Sequence, residues 1–172
     1  MLASNDVSFA GRPPLEVTLR VTLDGVTQNI VVLVIHMKAF TDAESWQRRV
    51  DASVALKAYL DATYPTQRVI VVGDWNDDLD VSIAPGKRSP YENFVTDPLR
   101  YAFPTQELSV SRIPTTVGFA DAIDHHLVSN ELAALVQAGS VRVVRLDKVI
   151  TGYDQITSDH YHYPVVVSYR MR

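Results

Sequence analysis

Leu15-Glu-Val-Thr-Leu-Arg-Val-Thr-Leu23 alternates apolar and polar residues with the period of two that a half-buried strand requires. Asp24-Gly25 interrupts it with turn residues, and Gln28 to Ile35 resumes as a more continuously apolar run, so the pair predicts a β-hairpin. Thr41-Asp-Ala-Glu44 has the spacing of a capping box, which predicts a helix starting there with Thr41 as its cap. Trp46, Val50, Val54 and Leu60 then form an apolar stripe for packing on a sheet, and Pro65 stops the helix after Tyr64. Arg68 to Val72 is the next strand, which completes a strand, helix, strand succession. Asn76 to Pro90 is polar and contains Pro85, Gly86 and Pro90, the composition of a long solvated loop. Tyr91 to Arg100 predicts a short helix, and Ala122 to Val128, Val141 to Leu146 and Pro164 to Tyr169 predict further strands.

With 172 residues, 47 % of them hydrophobic, the chain can enclose one domain's core, and 1–172 is read as a single domain. Its apolar runs are too short to span a bilayer, so no membrane span is expected, and no charged head precedes an apolar stretch near Met1. The absence of cysteine excludes disulfides and thiolate metal sites and leaves the compartment open. A net charge of −4 argues against holding nucleic acid through a broad basic surface, so any polyanion contact must be local. Lys87 and Arg88 in the long loop are candidates for such contacts.

Candidate chemistry gathers where strands end. Val69-Ile-Val-Val-Gly-Asp74-Trp-Asn76 carries an acid and an amide to a strand mouth, on one face if the chain stays extended, with Trp75 on the other. Such a pair can orient a nucleophile and hold an anionic oxygen, which makes a phosphate ester the first substrate class to consider. His36 follows Val31 to Ile35, Asp124 follows Ala122-Ile123, and Ser158-Asp159-His160 precedes the closing strand. Asp124 with His160 is the candidate proton-transfer pair, the carboxylate fixing the imidazole tautomer. Asp159 offers a hard oxygen ligand suited to Mg²⁺. Taken singly, each group also fits a local role: His36 as a strand-end histidine, Asp124 as a turn former, Ser158-Asp159 as a cap. His125, His126, His160 and His162 point to an alternative, an imidazole zinc cluster, with His160 and His162 sharing a face.

In order along the chain, Ile35-His36-Met37-Lys38, Gly73-Asp74-Trp75-Asn76, Ala122-Ile123-Asp124-His125 and Ser158-Asp159-His160 resemble the endonuclease/exonuclease/phosphatase superfamily, the deoxyribonuclease I-like group. Phe9-Ala-Gly-Arg12-Pro-Pro14 resembles the segment by which family members enter the strand before the histidine motif. The resemblance implies an α/β (α+β) fold, a four-layer sandwich of two packed, mostly antiparallel sheets flanked by helices. It implies a metal-dependent phosphoester hydrolase, most of all an endonuclease or phosphodiesterase in which water attacks phosphorus, with Mg²⁺, Mn²⁺ or Ca²⁺ as cofactor. Carried over by position, His36 and His160 transfer protons or stabilise phosphate, and Asp124 orients His160. Asp74 orients the attacking water or supports the metal, Asn76 holds a phosphate oxygen, Asp159 belongs to the metal site and Arg12 contacts substrate phosphate. The implied partner is nucleic acid or another phosphoester.

Two departures stand out. Val34 occupies a position where many members carry asparagine, and neither Asn5 nor Glu16 matches the family's metal-side asparagine and glutamate. The chain is therefore expected to be the back portion of such a domain, weak or inactive alone, with a missing N-terminal segment or self-association completing the sheet. The alternatives are a catalytically silent interaction module on the same scaffold, or a phosphatase of lipid, inositol or small-nucleotide phosphates.

Overall fold

The computed structural model describes residues 2, 7–153, 155 and 162–170. Strands β1 (Leu15–Leu23) and β2 (Val26–His36) form the expected hairpin, with Asp24 and Gly25 both at positive φ (50° and 81°), as a tight two-residue turn requires. Helix α1 (Ala43–Thr63) crosses over to β3 (Val69–Asp74), which lies parallel to β2. Short helices α2 (Glu92–Val95) and α3 (Gln106–Val110) flank β4 (Tyr101–Ala102). Strand β5 (Asp124–Ser129) runs antiparallel to β3 and β4, and α4 (Asn130–Ala133) follows it directly. The result is a five-stranded sheet of order β1-β2-β3-β5-β4 and a separate pair, β6 (Arg142–Val143) with β7 (Val165–Val166). Among the described residues no helix is long and apolar enough to cross a membrane.

Both faces of the central strands are covered. Val31, Leu33 and Ile35 of β2, Val69 and Val71 of β3 and Leu127 of β5 meet Ala52, Leu56 and Leu60 of α1 in the main core. Trp75 extends it, edge-on to Tyr91 and Phe103. On the opposite face Ile30, Val128 and Leu132 pack with Ile70, Leu135 and Tyr169. Leu15, Leu19, Leu23 and Val26, at the outer hairpin, stay exposed.

Several expectations shift on contact with the packing. Asp42 rather than Thr41 caps α1, its carboxylate accepting from the Ser45 amide at 2.8 Å, because a charged acceptor serves an unsatisfied helix N-terminus better than a hydroxyl. The buried face of α1 is Ser45, Arg49, Ala52, Ser53, Leu56 and Leu60. Trp46, Val50 and Val54 lie one stripe over, against the Arg88–Thr96 segment, with Trp46 Nε1 donating to the Arg88 carbonyl at 3.0 Å and Lys87 seated over its ring. The core thus takes polar side chains that hydropathy assigns to solvent. The Asn76–Pro90 segment is likewise no solvated loop, since Asp77, Asp78, Leu79, Ser82, Ala84 and Ser89 are buried. Its acids bond inward: Asp77 Oδ1 accepts from the Ile83 amide at 2.8 Å, and Asp78 Oδ1 accepts from the Leu79 amide at 2.7 Å. The helix expected over 91–100 shrinks to one turn, and the last two predicted strands to two residues each.

Gly73, one residue before the end of β3, has φ 134°, and a Cβ there would collide with the Ile35 carbonyl oxygen. Gly73→Ala is expected to cost about 2 kcal/mol or more, read as a lowered urea midpoint with an unchanged slope.

Candidate active site

Pairing register places the chemistry in one row. His36 lies opposite Asp74 across β2 and β3, and Asp74 lies opposite Asp124 across β3 and β5. All three sit where their strands leave or enter the sheet, so their side chains reach the rim without abandoning backbone pairing. His36 Nε2 is 3.4 Å from Asp74 Oδ2. From the other side His162 brings Nε2 to 3.7 Å from the same oxygen.

His162, just before β7, is the residue that takes Asp124. Its Nδ1 lies 2.9 and 2.8 Å from Asp124 Oδ1 and Oδ2, and Thr115 Oγ1 donates to Oδ2 at 2.7 Å. Thr115 Oγ1 also accepts from the amides of Ile123 and Asp124, and its carbonyl accepts from the Tyr163 amide at 2.7 Å. One threonine therefore holds both halves of the pair. Donation from Nδ1 to Asp124 leaves Nε2 of neutral His162 as an acceptor facing the cleft. The hydrogen bond to Asp124 lifts the affinity of His162 for its proton above the ordinary histidine value, against the opposing effect of burial. His36 moves the other way, lowered by burial and then by the positive charges of Arg12 and His162.

Asn76 converges on Asp74, though not by extended geometry. At φ 53° it curls back, its amide donating to Asp74 Oδ1 at 2.8 Å and its Nδ2 to Asp74 Oδ2 at 2.9 Å and the Met37 carbonyl at 3.1 Å. In this arrangement both Nδ2 hydrogens are engaged, and Asn76 orients Asp74. Trp75 points to the core, as alternation requires. Exposed Arg12 donates to the same Met37 carbonyl at 3.0 Å, which sets its charge beside His36.

Ser158, Asp159 and His160 lie outside the described residues. His162 was singled out in the sequence only as part of a zinc cluster, and the signal that could have found it is its place immediately before the closing strand. The cluster itself does not assemble among the described residues. His125 is buried, with Nε2 donating to the Ala122 carbonyl at 2.9 Å and Nδ1 against Thr105, and burial pushes it down to about 4, so it stays neutral. His126 points to the other face, toward the Val165 carbonyl.

A different donor set is present. One ligand atom each from Asp74, Asp124 and His162 lies within 4.8 Å of the others, and these residues could hold a metal ion. The fit has an electrostatic basis: Asp74 is pushed up to about 6, first by burial and then by the negative charge of Asp124, and a divalent cation would relieve both.

No family model matches the chain, and no curated protein matches it in sequence. Solved structures do match in fold. The catalytic domain of human Nocturnin with bound sulfate anion superposes over 93 % of this chain and 54 % of its own, at 20 % identity and TM-score 0.58. An endonuclease/exonuclease/phosphatase from Beutenbergia cavernae covers 82 % of this chain and 38 % of its own, at 19 % identity and TM-score 0.56. The chain has the deoxyribonuclease I-like fold. An AP endonuclease from Archaeoglobus fulgidus shares this fold over 90 % of the chain and 65 % of its own length, at 16 % identity and TM-score 0.52. This deoxyribonuclease I-like chain spans about half the length of the first of these structures.

The raised Asp74 has a measurable consequence. The folded protein holds this proton more tightly than the unfolded chain, so the group's contribution is greatest below the unfolded carboxylate value and is lost as pH rises through about 6. Asp74→Asn removes the ionisation. In metal-free protein its stability advantage over the parent is expected to be about 2 kcal/mol larger at pH 8 than at pH 4.5, read by urea denaturation. An advantage independent of pH would contradict the burial argument.

Proposed function

We propose that this site belongs to a metal-dependent phosphoester hydrolase of the deoxyribonuclease-like kind, in which water attacks phosphorus. The observation that carries the reading is the pairing of two imidazoles around one carboxylate, His36 and His162 on either side of Asp74 Oδ2, with Asp124 fixing the tautomer of His162. Water bound at Asp74 Oδ2 is oriented by it and can lose a proton to His162 Nε2. Asp124 stabilises the imidazolium that forms, as a carboxylate behind a catalytic histidine does. His36, held neutral by burial and by Arg12, can donate from a ring nitrogen to a phosphoryl oxygen. Arg12 supplies forked, permanent positive charge for the substrate anion. The proton-transfer role expected of His160 is assigned to His162 here, because His162 occupies Asp124.

The carboxylates of Asp74 and Asp124 would hold a divalent cation, with Asp159 as a further oxygen ligand, while His162 beside them keeps Nε2 for the proton. Mg²⁺ or Mn²⁺ when bound would polarise a phosphoryl oxygen and neutralise its charge. The sulfate in the Nocturnin structure, an anion of phosphate's shape, supports an anionic substrate. A nucleic-acid phosphodiester is placed ahead of lipid, inositol or small-nucleotide phosphates, in line with the AP endonuclease among the matched folds.

The test is hydrolysis of bis(p-nitrophenyl) phosphate with Mn²⁺ or Mg²⁺, together with the imidazole NMR signals of His36 and His162 during a phosphate titration. His162→Gln and Asp124→Asn are each expected to lower turnover by about 10²-fold or more. Turnover that survives both substitutions would overturn the assignment, as would no turnover combined with imidazole signals that ignore phosphate.

A further inference from the structure

Helix α1 turns one charged residue fully into the core. Arg49 is buried, and its guanidinium is bonded to the two backbone segments that carry the site. Nε donates to Asp77 Oδ2 at 2.8 Å, and Nη2 lies 2.8 Å from the same oxygen. Nη1 donates to the carbonyl oxygens of Lys38 at 2.7 Å and Phe40 at 2.8 Å. Lys38 and Phe40 follow His36, while Asp77 follows Asp74 and Asn76. Asp77 is itself locked, accepting from Ser82 Oγ at 2.7 Å and from the amides of Ile83 and Asp78 at 2.8 and 2.9 Å.

The two segments touch at Met37. Its amide donates to the Asp74 carbonyl at 2.9 Å, and its carbonyl receives both Asn76 Nδ2 and Arg12. Each segment also contains a residue in the left-handed region, Phe40 at φ 82° and Asn76 at φ 53°. Such conformations are sparsely populated by residues other than glycine and persist where the surroundings hold them.

We propose that Arg49 is a positioning residue for the site, fixing the segment after His36 against the loop after Asp74 by bridging Lys38, Phe40 and Asp77. The catalytic consequence rests on the phosphoester reading, and the mechanical one rests on the geometry alone. A lysine offers one compact ammonium in place of a rigid planar fork and cannot span the three oxygens in the same way. Buried ion pairs add little net stability over apolar packing, so what this one supplies is a fixed distance between two loops.

The experiment compares wild type with Arg49→Lys and with the double variant Arg49→Met/Asp77→Asn, which removes the pair without leaving a lone buried carboxylate. In metal-free protein, amide hydrogen exchange at Met37 and Asn76 is expected to speed up by about tenfold or more, while Leu33, Val71 and Leu127 in the sheet keep their wild-type rates. With Mn²⁺ and bis(p-nitrophenyl) phosphate, kcat is expected to fall by about tenfold with KM within about twofold. Uniform acceleration at all five amides would mean a general stability role and overturn the proposal, as would unchanged exchange at Met37 and Asn76 or an unchanged kcat. If wild type itself turns over no phosphoester, the phosphoester reading fails and the exchange pattern still decides the role of Arg49. Should Arg49→Lys not fold, the double variant carries the same comparison.

Discussion

The register between β2 and β3 is the constraint on which the site depends. Parallel pairing aligns His36 with Asp74, and antiparallel pairing of β3 with β5 aligns Asp74 with Asp124. A slip of one residue on any of these strands would turn its His36, Asp74 or Asp124 side chain to the other face of the sheet. Two things prevent it. Apolar residues on both faces of β2 and β3 fix the register by burial, and Gly73 admits the close approach of Ile35 that the end of the ladder requires. The same packing that stabilises the fold therefore sets the separation of His36, Asp74 and Asp124.

Around that row the protein uses buried polar bonds alongside apolar contacts to shape its loops. Arg49 joins Asp77 to the carbonyls of Lys38 and Phe40, and Thr115 joins Asp124 to the strand that presents His162. A loop bonded in this way is dry without being apolar, which explains how a segment as acidic as Asn76-Asp77-Asp78 lies within the structure. The arrangement also gives the site unequal imidazoles. His162 is raised by its bond to Asp124 and His36 is lowered by burial and Arg12, a separation that the proposed proton-transfer roles would use.

Much of this was legible in the residues. The hairpin, the crossover helix with its stop at Tyr64, and the strand leading to Asp74 all have local causes: alternation, turn chemistry, a proline. The helix face was not legible, because Arg49 and Ser53 enter the core while Val54 stays exposed, and hydropathy has no term for a guanidinium whose partners lie on two other segments. The length of β6 and β7 was not legible either, since short strands depend on what they pair with.

By itself the sequence determined which groups stand at strand ends, because periodicity and turn residues act over a few positions. His36, Asp74, Asn76 and Asp124 follow from that, and the order of their motifs pointed to the deoxyribonuclease I-like fold. Tertiary structure alone decided which histidine takes Asp124, how Asn76 bonds to Asp74, and why Arg49 is buried. Each of those outcomes depends on residues far apart in the chain, such as Asp124 with His162 and Arg49 with Asp77, whose meeting is fixed by sheet register and loop path rather than by any local pattern.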